Sequence, residues 1–149
     1  MKLIAKNKKA LFEYEVLERM EAGISLLGWE VKSIKSGNVS LKESFVTLRG
    51  SEAWVLNMHV SIWKTNDGNQ YQETRERKLL LSKKELALLY KHTRIKGNTI
   101  AVLDIHLVRG LVKLQIALVR GKKRFDKRQV LKEKDEKRQI ERDLKEIGY

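Results

Sequence analysis

The side chains in this sequence that could do chemistry are mostly cations. Lys and Arg number 32 against 19 Asp and Glu, leaving a formal net charge of +13 on 149 residues. A positive field of that size on a small body attracts phosphate polymers. The cations gather as Lys6/Lys8/Lys9, Lys32/Lys35, Arg75/Arg77/Lys78 and Arg120/Lys122/Lys123/Arg124. Clusters at the ends of elements can track a phosphate backbone, with aromatics such as Trp29, Trp63 or Phe125 stacking on bases. Each cluster alone also reads as a solvated basic face, and the total charge as a device for solubility or for docking on anionic membrane. Glu30, set among Lys32 and Lys35, is either a helix-start charge or an acceptor for nucleobase edges and ribose hydroxyls. Its spacing favours the helix start.

The spacing offers no catalytic arrangement. A nucleophile beside its base, a carboxylate pair or a metal cluster is what catalysis usually needs. His59, His92 and His106 fall in two predicted strands and a predicted helix without ligand spacing, so structural roles are expected and no metal. There is no glycine-rich phosphate loop, and the expectation is a protein that is not an enzyme and carries no cofactor. The chain has no Cys, which excludes disulfides and thiolate metal sites. The first nine residues lack the apolar run of a signal sequence, and no later stretch approaches a membrane span. A cytoplasmic protein with no membrane partner is therefore expected. Proline is absent, so no stiff proline-rich linker divides the chain.

The elements that would position these residues are mixed along the chain. Apolar residues between Tyr14 and Leu26 lack helical spacing and are interrupted at Gly23, which predicts two short strands. Leu27, Val31 and Ile34 stand at i, i+4 and i+7 and predict a short amphipathic helix that Gly37 stops in a left-handed conformation. Residues 44–60 predict a hairpin around Arg49-Gly50-Ser51-Glu52, with Trp54 in the core. Residues 64–76 read as a loop. Ser82-Lys83-Lys84-Glu85 is a capping box that starts a helix over residues 83–95. Residues 99–119 alternate around Arg109-Gly110 as a long hairpin, with Leu103, Ile105 and Leu107 on one face. About six strands and two helices result.

This is a mainly β fold with α: a small closed antiparallel barrel of the oligonucleotide-binding type with two helices, over residues 1–121. Residues 122–149 form a basic C-terminal tail. Ile140, Leu144 and Ile147 recur at helical spacing, with Glu133/Lys137 and Glu141/Lys145 at ion-pair spacing. So few apolar groups do not offset the ordering entropy, and the tail is expected to be helical only when bound.

Six strings occur in a fixed order: Asn7-Lys8-Lys9-Ala10, Glu21-Ala22-Gly23-Ile24, Gly28-Trp29-Glu30-Val31-Lys32-Ser33, Asn57-Met58-His59-Val60, Arg77-Lys78-Leu79-Leu80-Leu81 and Gly121-Lys122-Lys123-Arg124-Phe125-Asp126-Lys127-Arg128. Together they closely resemble the SsrA-binding protein family. The resemblance implies a barrel that holds the tRNA-like domain of transfer-messenger RNA as a monomer. It also implies a tail that enters the small-subunit decoding region of a stalled ribosome, with catalysis left to the ribosome and the synthetase. By matching motif, the RNA-binding residues are Asn7, Lys8, Lys9, Glu30, Lys32, Lys122 and Lys123, which moves Glu30 from helix charge to RNA contact. The ribosome-binding tail is Phe125, Asp126, Lys127 and Arg128. Trp29, Arg109-Gly110 and Phe125 depart from the family's usual residues, and Phe125 keeps stacking while removing a polar ring atom. A general RNA-binding protein or ribosome assembly factor on the same kind of barrel is the alternative.

Overall fold

The computed structural model describes residues 1–62, 72–121 and 127–147, with side chains from residue 135 onward in the last stretch. Its centre is the hairpin of β8 (Asn98–Val108) and β9 (Leu111–Gly121). Arg109 and Gly110 join them with φ of 51° and 79°. Two consecutive left-handed residues are what a two-residue turn of type I′ requires, and its twist matches that of the strands it connects.

Along β9, Val112, Leu114 and Ile116 enter the main core with Ile100, Val102 and Ile105 of β8. Ala117 and Val119 face the other way and pack with Ala101 and Leu103 beneath Ala10 of α1 (Lys8–Glu13). Leu103 follows Ala101 onto this outer face by alternation, and the bulge between Val102 and Asp104 then returns Ile105 to the inside. The single face expected for Leu103, Ile105 and Leu107 is thus split, because one inserted residue reverses the alternation.

The remaining strands extend this hairpin in both directions. β2 (Tyr14–Ile24) runs antiparallel to β9, and β7 (Arg77–Leu80) pairs with the end of β2. β5 (Glu52–Leu56) pairs with β7, and β4 (Phe45–Arg49) pairs with β5. β4 then pairs with Ile100 and Ala101 of β8, so the run of pairings returns to the strand where it began. β1 (Lys2–Lys6) continues the same edge of β8, and β3 (Val39–Ser40) with β6 (His59–Val60) makes a separate two-stranded sheet. Among the described residues there are nine strands and four helices, against the six and two expected. β2 is one strand where two were expected. Gly23 does not interrupt it but pairs on both sides, with Leu80 and Lys113. A Cβ on Gly23 would lie 3.2 Å from that of Leu80, so glycine permits a close approach there.

α2 (Gly28–Lys35) ends in a Schellman motif: Gly37 N–H donates to Ile34 O at 2.9 Å and Asn38 N–H to Ser33 O at 2.9 Å. α3 (Lys83–Thr93) begins with the expected capping box, Glu85 N–H to Ser82 Oγ at 3.1 Å and Ser82 N–H to Glu85 Oε1 at 2.9 Å.

The C-terminal segment carries α4 (Lys127–Glu146), with Ile140 fully buried against Leu17 and Leu118. Leu144 and Ile147 of the same helix pack against the main core, so α4 covers apolar surface of the body.

Gly37 has φ +84° and open space around its Cβ position. Gly37→Ala is expected to cost about 1–2 kcal/mol through the backbone alone, and Gly37→Asn less. Urea denaturation of the two variants checks this, and equal stability of parent and Ala variant would contradict it.

Candidate nucleic-acid interface

Asn7 sits where β1 turns into α1, and its side chain is used completely inside the protein. Oδ1 accepts the Ala10 N–H at 3.1 Å as an N-cap, and Nδ2 donates to Leu41 O at 2.9 Å and Val102 O at 3.0 Å. Its own N–H donates to Leu103 O at 2.8 Å. Asn is suited to this place because one short side chain supplies both the capping acceptor and two amide donors. It is 3% exposed. Asn7 therefore fixes the start of α1 and displays the next two residues, Lys8 and Lys9, on the surface.

Two grooves flank these lysines. One, of 360 Å³, is bordered by Lys6, Lys8, Lys9 and Lys42 above Val39, Ser40 and Leu41. The other, of 340 Å³, lies across Lys9 and Lys42, with Glu13 and Glu43 also on its wall, and reaches Tyr14, Phe45 and Asn57. Lys9 Nζ meets Glu43 Oε1 at 3.2 Å, and that hydrogen bond raises the lysine pKa. A pair this exposed is weak and easily exchanged for a phosphate. Lys42 and Phe45 were not singled out from the sequence. The signal for Phe45 was the alternation of β4, where Val46 points inward and Phe45 outward.

Glu30 lies on the same helix as exposed Lys32 but points inward and is fully buried. Its Oε1 accepts the Leu27 N–H at 2.7 Å and Arg75 Nη2 at 2.6 Å. Its Oε2 accepts Arg75 Nε at 3.0 Å and also Arg77 Nε. Arg77 is buried as well and donates onward from Nη1 to Met58 O at 2.7 Å and from Nη2 to Glu73 O at 3.0 Å. Burial alone would raise the Glu30 pKa, but hydrogen bonds from Arg75, the Leu27 N–H and Arg77 outweigh it and hold the carboxyl below its ordinary 4.5. Burial pushes the Arg77 guanidinium down, and Glu30 opposes that shift. This carboxylate caps its own helix and ties α2 to β7, with its oxygens occupied within the chain. The helix-start reading describes its bonding; a direct RNA contact through these oxygens does not.

Of the cluster Arg75/Arg77/Lys78, the two arginines are bound by Glu30, while Lys78 Nζ has an exposed pair with Glu52 at 2.9 Å. Trp54 also departs from expectation. It alternates with buried Ala53 and Val55, faces outward, and lies under Arg49 with the guanidinium carbon 6.0 Å from the ring centre. Trp29 is half-buried against the core. The histidines have structural partners: His59 with Glu73 at 2.9 Å, His92 with Asp143 at 2.8 Å, and His106 between Asp104 at 2.7 Å and Glu21 at 2.8 Å. For His106, burial lowers the pKa, yet the two carboxylates outweigh burial and raise it. Trp63, Lys122, Lys123, Phe125 and Asp126 lie outside the described residues, and Lys127 and Arg128 contribute helical backbone only.

A sheet whose strand pairings return on themselves, with lysine-rimmed grooves at one junction, defines the class: a small β protein with a cationic surface of the kind that holds nucleic acid. The family model described as SmpB protein matches residues 4–146, and the chain belongs to that family. It is 47% identical to the SsrA-binding protein of Fusobacterium nucleatum subsp. nucleatum over 96% of this chain and 97% of that protein. It is 44% identical to the SsrA-binding protein of Thermosynechococcus vestitus over 98% and 97%. A chain of the solved structure "tmRNA-SmpB: a journey to the center of the bacterial ribosome" superposes with a TM-score of 0.68 at 37% identity, covering 83% of this chain and 87% of that one.

Removing one member of a buried ion pair leaves an uncompensated charge, so Glu30→Ala is expected to cost about 3–5 kcal/mol of folding stability at neutral pH. The Glu30 pKa is lower in the folded than in the unfolded chain, so its contribution is present above pH 4.5 and is lost as pH falls through the folded value. Urea denaturation at pH 7 and at stepwise lower pH checks both points, with a shallower acid loss expected for the variant. Unchanged stability at pH 7 with weakened RNA binding would return Glu30 to the surface.

Proposed function

We propose that this protein binds the tRNA-like domain of transfer-messenger RNA and delivers it to stalled ribosomes for trans-translation, standing in for part of a tRNA. The observation that carries the reading is the pair Lys8 and Lys9, held out from the buried Asn7 cap beside a groove bordered by Lys6, Lys8, Lys9 and Lys42. The names of the relatives, SsrA-binding proteins, and of the structural neighbour, a tmRNA-SmpB complex of the ribosome, supply the partners. The cycle of strand pairings supports a closed barrel of the oligonucleotide-binding type.

In this reading Lys8, Lys9, Lys32 and Lys42 meet phosphates, joined by Lys122 and Lys123. Asn7 and Glu30 act by positioning: the first sets the pitch of α1, the second anchors α2 beneath Lys32. Residues 1–121 hold the RNA and residues 122–149 serve the ribosome, where Phe125, Asp126, Lys127 and Arg128 enter the decoding region. The protein works as a monomer in the RNA complex and lends position and charge, while bond making stays with the ribosome. Its place of action is the cytoplasm, and no described helix is long and apolar enough to cross a membrane.

Phosphate contacts make affinity fall with salt. Neutralising about four to six phosphates is expected to give a slope of roughly −3 to −5 in log K against log salt. Lys8→Ala and Lys9→Ala are each expected to reduce that slope by about one without changing which RNA is preferred. Titrations of the tRNA-like domain and of an unstructured RNA of equal length check this. Equal affinity for the two RNAs would favour a general RNA-binding protein, and a flat salt dependence would contradict the phosphate contacts.

A further inference from the structure

α3 carries a row of cations that the fold does not use. Lys83, Lys91 and the C-cap Arg94 stand at i, i+8 and i+11, which 3.6 residues per turn bring onto one side of the helix, with Ala87 between them and Lys84 beside them. All are exposed, as is Lys96 just beyond the helix. Leu89 and His92, on the opposite side, are buried. Among the described residues no carboxylate stands within ion-pair reach of Lys83, Lys84, Arg94 or Lys96, and only Lys91 has a partner, Asp143 at 3.2 Å.

The positions of these cations do not serve the helix. Lys83 and Lys84 sit in the first turn, where the macrodipole favours acids, and Lys91 with Arg94 is a like-charge pair three residues apart. Both arrangements weaken α3, which holds through its capping box and through Leu88 and Leu89 in the main core. A polyanion outside the chain turns the same charges into a gain. A phosphate backbone fits the row better than a protein face, because the row has one sign of charge, flexible point-charge ends and little exposed apolar area apart from Ile95.

Place decides which RNA. β9 ends at Gly121, and Arg120 before it is in register with Asn98 and donates from Nε to Asn98 Oδ1 at 3.0 Å. Asn98 Nδ2 donates in turn to His92 O in the last turn of α3 at 2.9 Å. The segment read above as serving the ribosome therefore leaves the sheet beside the end of this helix. The grooves at Asn7 flank α1 instead, which packs over the outer cluster of β8 and β9.

We propose that the exposed face of α3 is a second RNA-binding surface, where Lys83, Lys84, Arg94 and Lys96 seat the body on the phosphate backbone of ribosomal RNA while the grooves at Asn7 hold the tRNA-like RNA. The inference rests on the reading above that this protein delivers its RNA to ribosomes. It divides the positive surface between two nucleic acids, so that both are bound at once without competing for the same lysines.

Combining Lys83→Gln, Lys84→Gln, Arg94→Gln and Lys96→Gln removes four charges and keeps good helix formers in the helix. The variant is expected to melt no lower than the parent, because two of the lost cations oppose the dipole. Its affinity for the isolated tRNA-like RNA should change little. Binding of the full-length protein to purified small ribosomal subunits should weaken about tenfold or more, with the slope of log K against log salt reduced by about three. Unchanged subunit binding, or an equal loss of affinity for both RNAs, would overturn the second surface.

The chain has no Cys, so Ala87→Cys places a single thiol in the middle of the row. An iron chelate coupled there, generating hydroxyl radicals, is expected to cut ribosomal RNA in the complex with small subunits and to leave the bound tRNA-like RNA intact. Cuts in the tRNA-like RNA would give this face to that RNA, and no cuts in either would leave it to a protein; both results overturn the proposal. If the parent itself does not bind small subunits, the functional reading fails along with it. A parent that binds them no better than the four-fold Gln variant does fails this surface alone.

Discussion

The architecture depends on one buried carboxylate. Glu30 is placed by α2, caps that helix through the Leu27 N–H, and receives Arg75 and Arg77 from the start of β7. Arg77 spreads the connection further, to Met58 beside β6 and to Glu73. One negative group thus joins a helix, a sheet strand and two connecting segments far apart in sequence. Neither charge would be tolerated alone in that interior, and neither is easily replaced singly. The Lys32 side of α2 owes its place on the surface to this internal anchor.

The same principle recurs in how the chain handles its large positive charge. Arg75, Arg77 and Arg120 are paired with carboxylates in buried or half-buried positions. Among the described residues, the cations beside the grooves at Asn7 have at most the weak Lys9–Glu43 pair. A net charge of +13 therefore overstates the area offered to RNA. What distinguishes an interface here is which lysines lack a strong internal partner, and that is decided by fold.

Features governed by near neighbours were legible in the sequence: the Ser82/Glu85 capping box, the left-handed stop at Gly37, the Arg49–Glu52 turn and the Arg109-Gly110 turn. Features that depend on distant partners were not. β1 and α1 are too short to announce themselves and exist through pairing with β8 and through the Asn7 amide bonds. The role of Glu30 was hidden because Arg77 stands 47 positions away. Bulges at Val16/Glu18 and Val102/Asp104 shifted side chains between faces that a strict alternation would keep together. Trp54 was misplaced by its size, although Ala53 and Val55 on either side already marked the inward face.

The claim that Glu30 works inside the protein is tested most directly by a double-mutant cycle with Arg77, read as folding stability. Glu30→Leu and Arg77→Met are each expected to destabilise strongly. The double variant leaves only the half-buried Arg75 without its carboxylate and is expected to recover part of the loss, a coupling of about 1–3 kcal/mol. Simple addition of the two single effects would contradict the account, because it would mean that the carboxylate and the guanidinium do not depend on one another.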